Sequence, residues 1–337
     1  MLWRSGIHLG GRDMKERDVL RKMMVMVLVF SMVFILTSCD LSSSSRETIE
    51  DVRTGVGSVS GYVTAPDEVT PIIGATVVVD KLAIQTSTDE EGFYTLSDIS
   101  VGQQNIIAFK GNFKAEIMVN IAAGENVQVD NVVLQPTGKI GVNNGSYDDI
   151  AGILEKLGFE YENINLATLA DSSKLEEFVV LFFECGGLSI TENSTEANNL
   201  LNFIENGGYI YASDYALDIP ARLFSDKIDL LGRVGEGRDE DVLANIHNED
   251  IKFILGKDTI NLNYYDSPGW NVINSVAEDV SIDVTGDIYV SGEIVEDSPL
   301  LVHLTYGDGY VILTTFHNAT NATEDMLIIL QQMAFGF

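Results

Sequence analysis

The chain reads as a mixed protein: a small all-β sandwich followed by an α/β domain with a mainly parallel sheet. Three observations predict this. Between residues 57 and 136, short β-branched and aromatic runs recur between turn signals, and strong helix signals are missing. After Pro136, apolar strands alternate with segments of helical periodicity. Within that second stretch, Phe178 to Phe183 (FVVLFF) is an unbroken apolar run, as expected of a strand buried on both faces.

Composition sets the limits. Hydrophobic residues make up 45% of the chain, with 15 Phe and 12 Tyr, enough for packed cores and too much for global disorder. The chain carries 20 Lys+Arg and 51 Asp+Glu, a net of −31. Residues up to Ser38 hold 6 basic and 3 acidic residues, which leaves 14 and 48 for the remainder, a net of −34. Such a surface repels phosphate backbones, so nucleic acid is not an expected partner.

The N-terminus reads as an export leader. Lys15, Arg17, Arg21 and Lys22 precede an apolar run from Met23 to Leu36, broken by Ser31 alone. At about 14 residues this run is shorter than the roughly 20 a spanning helix needs, and it fits a signal-peptide core. Leu36-Thr37-Ser38-Cys39 follows: an aliphatic residue, two small residues and a cysteine. This resembles the lipobox of bacterial lipoproteins. The resemblance implies cleavage after residue 38, a lipid on Cys39, and a bilayer as a partner through that lipid at the cell envelope. A short anchor helix with an incidental cysteine is the alternative. The leader spans residues 1–38; residues 1–13 fit it poorly, and Met14 is the alternative start, which would give a leader of 25 residues. Residues 39–56, with the Ser42–Ser45 run, read as a flexible tether. With Cys39 lipidated, Cys185 stands alone, so no internal disulfide and no cysteine-based zinc site are expected.

The 57–136 segment is built from Ser58–Val63, Ala75–Val79, Phe93–Leu96, Asn105–Phe109, Glu116–Ile121 and Asn126–Leu134. Its residues Gly61, Val63, Gly74, Ala75, Val77, Thr88, Asp89, Gly92, Tyr94, Leu96, Ile99 and Gly102 carry a pattern similar to the carboxypeptidase regulatory-like domain, a transthyretin-like sandwich. The resemblance implies a non-catalytic spacer or binding module. Phe113, near Lys110 and Asn112, is read as a loop aromatic folded onto the sandwich, with a sugar platform as the alternative.

The 138–337 segment opens with a strand at Lys139–Val142 and a helix on Ile150, Ile153, Leu154 and Leu157, stopped by Gly158. Strands at Tyr161–Ile164, 178–183 and Tyr209–Ala212 follow, with a helix over Ala197–Glu205 between the last two. Later strands are expected at 259–264, 287–290 and 300–305. A hairpin at Gly307-Asp308-Gly309 then leads to Tyr310–Phe316, and a helix over Thr323–Met333 ends the segment. An apolar strand ending in Gly186-Gly187, an Asn206-Gly207-Gly208 turn, and Thr314-Thr315-Phe316-His317 near the end resemble the class I glutamine amidotransferase-like (flavodoxin-like) fold, in particular its ThuA-like branch.

That resemblance implies a cysteine on a sharp strand-to-helix elbow with a histidine base beside it. The matching stretch, Tyr211-Ala212-Ser213-Asp214-Tyr215-Ala216, has neither the cysteine nor the elbow glycines, and Ser213 or Asp214 takes the nucleophile's place. Amidotransferase activity is therefore not expected. Cys185, Asp214 and His317 all fall at carboxyl ends of strands, where α/β folds bind ligands. A Cys185–His317 hydrolytic pair, a metal site from Glu184, Asp214 and His317, and a plain buried thiol beside a structural histidine are the competing readings. His247 and His303 read as structural, and Gly235-Glu236-Gly237-Arg238 as a flexible acidic loop, since it lacks the lysine of a phosphate loop. No cofactor motif is found. The sequence thus points to non-catalytic binding of a ligand, glycan or envelope protein. A hydrolase on the Cys185/Asp214/His317 cluster, or a structural spacer or adhesin element, are the alternatives.

Overall fold

The computed structural model describes residues 55–234, 240–264, 270–318 and 322–335. The leader, Cys39, nearly all of the tether and the Gly235–Arg238 loop lie outside the described residues.

The first part is sandwich-like. Its strands are β1 (Val56–Thr64), β2 (Thr76–Val79), β3 (Gln85–Ser87), β4 (Phe93–Ser100), β5 (Gly102–Lys110), β6 (Phe113–Ile121), β7 (Asn126–Gln128), β8 (Val132–Val133) and β9 (Gln135–Pro136). One sheet runs β4-β1-β7, with β8 also on β1, and the other runs β3-β2-β5-β6-β9. Alternation makes the core. Val59 and Val63 of β1, Tyr94 and Leu96 of β4, and Val77 and Val79 of β2 all point inward and are buried. Gly92 is required where it stands: φ is +72°, and a Cβ there would lie 2.7 Å from the Val63 carbonyl oxygen.

The second part begins β10 (Lys139–Asn143), α1 (Ile150–Lys156), β11 (Glu162–Asn163), α2 (Leu166–Ala170), α3 (Ser172–Leu175), β12 (Phe178–Phe183), α4 (Thr195–Glu205), β13 (Tyr209–Ser213) and α5 (Asp218–Leu223). It continues β14 (Ile228–Val234), β15 (Glu240–Ile246), α6 (Glu249–Leu255), β16 (Thr259–Tyr264), β17 (Trp270–Val276), β18 (Ser281–Val290), β19 (Glu293–Tyr306), β20 (Gly309–Thr314) and α7 (Glu324–Ala334). Nine of these strands form one sheet in the order β11-β10-β12-β13-β20-β19-β18-β15-β16. From β11 to β20 neighbours are parallel; from β20 to β16 they are antiparallel. Strands β14 and β17 make a separate antiparallel ribbon.

The sheet is therefore mixed, which corrects the expectation of a mainly parallel one. The reason is in the connections. Parallel neighbours need a crossover of a dozen or more residues, whereas a two-residue turn can only reverse the chain. Ser291-Gly292, with φ of +48° and +98°, joins β18 to β19, and Gly307, at φ +60°, opens the turn from β19 to β20. The 14 residues of β19 then serve as a long antiparallel partner for both neighbours.

The two parts share a core. Buried residues of the sandwich, from Val59 to Leu134, belong to one apolar cluster with Ile140, Leu154, Phe159, Ile329 and Phe335 of the second part. The β5–β6 hairpin drives this union. Gly111, at φ +50°, lies so close to the α7 end that a Cβ would meet the Phe335 carbonyl oxygen at 2.1 Å. Asn112 donates its amide to the carbonyls of Val179 (3.0 Å) and Gly207 (2.9 Å). Phe113 is fully buried and sits edge-on to Phe335 at 4.8 Å and to Phe159 at 5.3 Å between ring centres. It is a packing residue and presents no sugar platform.

Lys110 closes the hairpin's grip. Its ammonium is buried and donates to the Ile73 carbonyl at 2.8 Å and to Gln332 Oε1 of α7 at 3.1 Å. Burial pushes its pKa down to about 8, against a weaker upward pull from Asp250. The unfolded chain then holds more protons than the folded one between pH 8 and 10.5, the lysine's ordinary value, so stability rises with pH across that window. We expect urea-unfolding free energies of the wild type to gain about 3 kcal/mol over this range relative to Lys110→Met. Parallel pH profiles for the two proteins would contradict the buried charge.

Candidate functional site

Four chain segments converge at the carboxyl end of the parallel strands. They are the loop after β10, the turn after β12, the start of the helical segment after β13, and the loop after β20. Each strand is a buried apolar run, so its first polar residues emerge together where the sheet stops.

The β13 end is a sharp elbow. Ser213 is extended, and Asp214 then turns into the left-handed region at φ +42° and opens a 3-10 helix, Asp214–Leu217, that runs into α5. Aspartate tolerates this backbone better than most residues, at a cost of order 1 kcal/mol. Its carboxylate holds it there. Oδ1 accepts the Asn271 backbone N–H at 2.7 Å. Oδ2 accepts from the Cys185 thiol and from His317 Nε2, both at 3.0 Å. The structure thus brings Cys185, Asp214 and His317 together, with their ligand-type atoms all within 4.8 Å of one another.

The arrangement is not that of a nucleophile and its base. Sulfur and imidazole meet through the shared carboxylate oxygen. The thiol is fully buried, and burial, the Asp214 charge and the hydrogen bond to it push its pKa well above the ordinary thiol range. His317 is pulled down by burial, but the hydrogen bond and charge of Asp214, with the charge of Asp148, outweigh this and leave its pKa raised. Its ring stacks on Tyr147 at 5.8 Å between centres.

Glu184 does not join this cluster, contrary to the metal set considered from the sequence. Its carboxylate accepts the backbone N–H groups of Gly145 (2.7 Å), Ile150 (2.9 Å) and Ala151 (3.4 Å), capping the start of α1. Burial raises its pKa despite these bonds. Asp148 is a site residue that sequence reasoning missed. One of its oxygens accepts from the Cys185 N–H at 2.7 Å and the Ser213 hydroxyl at 2.5 Å, and the other from the Asn318 N–H at 2.7 Å. One carboxylate thereby ties the ends of β12, β13 and β20. The Asp148-Asp149 pair was the available signal: Asp149 caps α1 through the Gly152 N–H, which leaves its neighbour for another task. Among the described residues, the other two histidines bond groups outside this cluster. His247 bonds the Thr285 hydroxyl and His303 bonds the Asp283 carboxylate.

Two clefts lie at the other end of the sheet. The larger, about 720 Å³, is lined by Asn112, Phe178, Asn199, Asn202, Phe203 and Asn206 among others. The second, about 410 Å³, includes Pro136, Lys139, Phe159 and Tyr161.

Because Asp148 satisfies three donors from three loops, its removal leaves buried donors unpaired. We expect Asp148→Ala to cost about 3 kcal/mol in urea unfolding, and Asp148→Asn, which keeps one acceptor oxygen, to cost clearly less. A neutral Asp148→Ala would show that the loops close without it.

Residues 59–139 match the family model of the CarboxypepD_reg-like domain. No curated protein shows significant similarity to the chain. Among solved structures, a ThuA-like protein of Bacteroides uniformis is 14% identical, with 58% of this chain and 89% of that one covered and a TM-score of 0.42. A second ThuA-like protein, from Parabacteroides merdae, is 13% identical over 59% and 88%, with a TM-score of 0.41. A GMP synthase protein of Thermoplasma acidophilum is 13% identical over 59% and 93%, with a TM-score of 0.43.

Proposed function

We propose that this chain is an exported envelope lipoprotein, held to a membrane by a lipid on Cys39, whose second part is a degenerate amidotransferase-like domain that binds rather than catalyses. The observation that carries this reading is the β13 elbow. A strained strand-to-helix elbow is where such folds present a nucleophile, and here Asp214 occupies it with both carboxylate oxygens already hydrogen-bonded. The strand order β11-β10-β12-β13-β20 supports the flavodoxin-like assignment, since in chain order it reads 2-1-3-4-5. The short apolar run before Cys39 and the lipobox-like residues support the anchor.

Binding then falls to open surface. The cleft beside α4 offers four asparagines with Phe178 and Phe203 and a single carboxylate, Glu176. Asn112 spends its amide N–H groups on Val179 and Gly207, and Asn199 and Asn206 each give one to a backbone carbonyl; the remaining N–H groups and the amide oxygens suit hydroxyl-rich ligands, so a glycan is the ligand class favoured there.

Iodoacetamide labelling of Cys185, followed by peptide mass mapping in the presence of a chelator, tests the non-catalytic reading. The expected result is labelling only as the protein unfolds in urea, at the same rate in wild type and in His317→Ala. Rapid labelling of the native protein near neutral pH, abolished by His317→Ala, would favour a Cys185/Asp214/His317 hydrolase instead.

A further inference from the structure

The same strand-end cluster has the composition of a metal centre. We propose that Cys185 Sγ, Asp214 Oδ2 and His317 Nε2 form a binding site for one zinc-class divalent cation. A thiolate, an imidazole and a carboxylate together suit zinc or its neighbours cobalt and iron, and suit magnesium and calcium poorly, because those ions prefer oxygen alone.

Spacing is close to that of a bound ion. Adjacent ligand atoms around tetrahedral zinc lie roughly 3.3–3.5 Å apart, given metal–ligand distances near 2.0–2.3 Å. The sulfur–oxygen and nitrogen–oxygen separations here are both 3.0 Å, hydrogen-bond contacts that would widen by a few tenths of an ångström around a metal, and all three atoms fall within 4.8 Å. The three atoms come from turns fixed by outer contacts. The Asn271 N–H holds Asp214 Oδ1, which leaves Oδ2 toward the cluster, and Asp148 anchors the Cys185 and Asn318 backbones.

Two further observations point to a guest. Asn271 and Asn318, which donate to Asp214 and Asp148, each keep a buried side-chain oxygen with no partner. Such orphaned acceptors are costly, and these two lie on the residues whose backbone N–H groups bind the Asp214 and Asp148 carboxylates. Charge is the second. Asp148 and Asp214 both act on His317, and among the described residues His317 is the one basic side chain paired with either of them. A divalent cation would offset that excess, and the acidic surface raises its local concentration. On binding, metal–sulfur, metal–oxygen and metal–nitrogen bonds form, the thiol proton leaves to solvent with any proton on His317 Nε2, and no oxidation occurs.

This inference goes beyond the binding function proposed above and fails separately from it, because the labelling test is run with metal chelated. The experiment is a cobalt titration of the full mature chain after chelator dialysis, followed by zinc displacement. We expect one Co²⁺ per chain with a thiolate-to-cobalt absorption band, displaced by Zn²⁺. The band should be absent in Cys185→Ser, and affinity should fall at least about 10-fold in His317→Asn. Calcium should not compete. Since a variant could fail to fold, the wild-type spectrum decides by itself. No uptake, or uptake without the sulfur band and reversed by calcium, would overturn the site and leave only diffuse binding to the acidic surface.

Discussion

Carboxylates that accept backbone amides at the carboxyl end of the sheet are the constraint on which the rest of this molecule turns. Where four parallel strands stop together, their loops leave N–H groups with no ladder partner, and each one left unpaired in the interior costs about 1–3 kcal/mol. Asp148, Glu184 and Asp214 remove that cost. Between them they take the N–H groups of Cys185, Asn318, Gly145, Ile150, Ala151 and Asn271. The charges of Asp214 and Asp148 act on His317, whose ring bonds Asp214, and favour its proton despite burial. The thiol of Cys185 falls into the same network as a donor, and a donor thiol is a poor nucleophile.

The opposite end of the sheet is organised by shape. There the β5–β6 hairpin of the sandwich packs Phe113 into a three-ring contact with Phe159 and Phe335, and the Asn112 amide donates to the carbonyls of Val179 and Gly207. The sandwich is therefore joined to the sheet by buried apolar surface as well as by chain connectivity. One consequence is positional. The 720 Å³ cleft opens beside this junction, with Asn112 from the sandwich and Asn199 and Asn206 from the α/β part on its walls. A ligand there would touch both parts at once, whereas the strand-end cluster is reached through the second part alone.

Much of this was legible in residues, and the exceptions have physical causes. The FVVLFF run, the Ile150/Ile153/Leu154 helix and the Tyr94/Leu96 alternation each fill one burial environment, so their periodicity survives in the sequence. Strand β15 was missed although Val242, Ala244 and Ile246 alternate inward, because Leu243 on the outer face is apolar and mostly exposed, which blurs the pattern. The mixed sheet was missed because a two-residue Ser291-Gly292 reversal says little until its positive φ values are known. At the site, strand-end logic brought Cys185, Asp214 and His317 together correctly, since each closely follows a strand. It could not separate Glu184 from that group. Adjacent residues after a strand point to opposite sides, and only the position of α1 decides that Glu184 turns to the helix and Cys185 to the cluster.

The most direct test of this closed strand-end network is amide hydrogen exchange of the native protein, read at the backbone N–H groups of Cys185, Asn271 and Asn318. If the carboxylates of Asp148 and Asp214 hold these segments as described, all three amides exchange only through global unfolding, alongside the interior of β12 and β13. Exchange of any of them far faster than those strands, under conditions where the sheet stays protected, would mean that the cluster opens to solvent in the native state, and the closed, non-nucleophilic elbow would have to be abandoned.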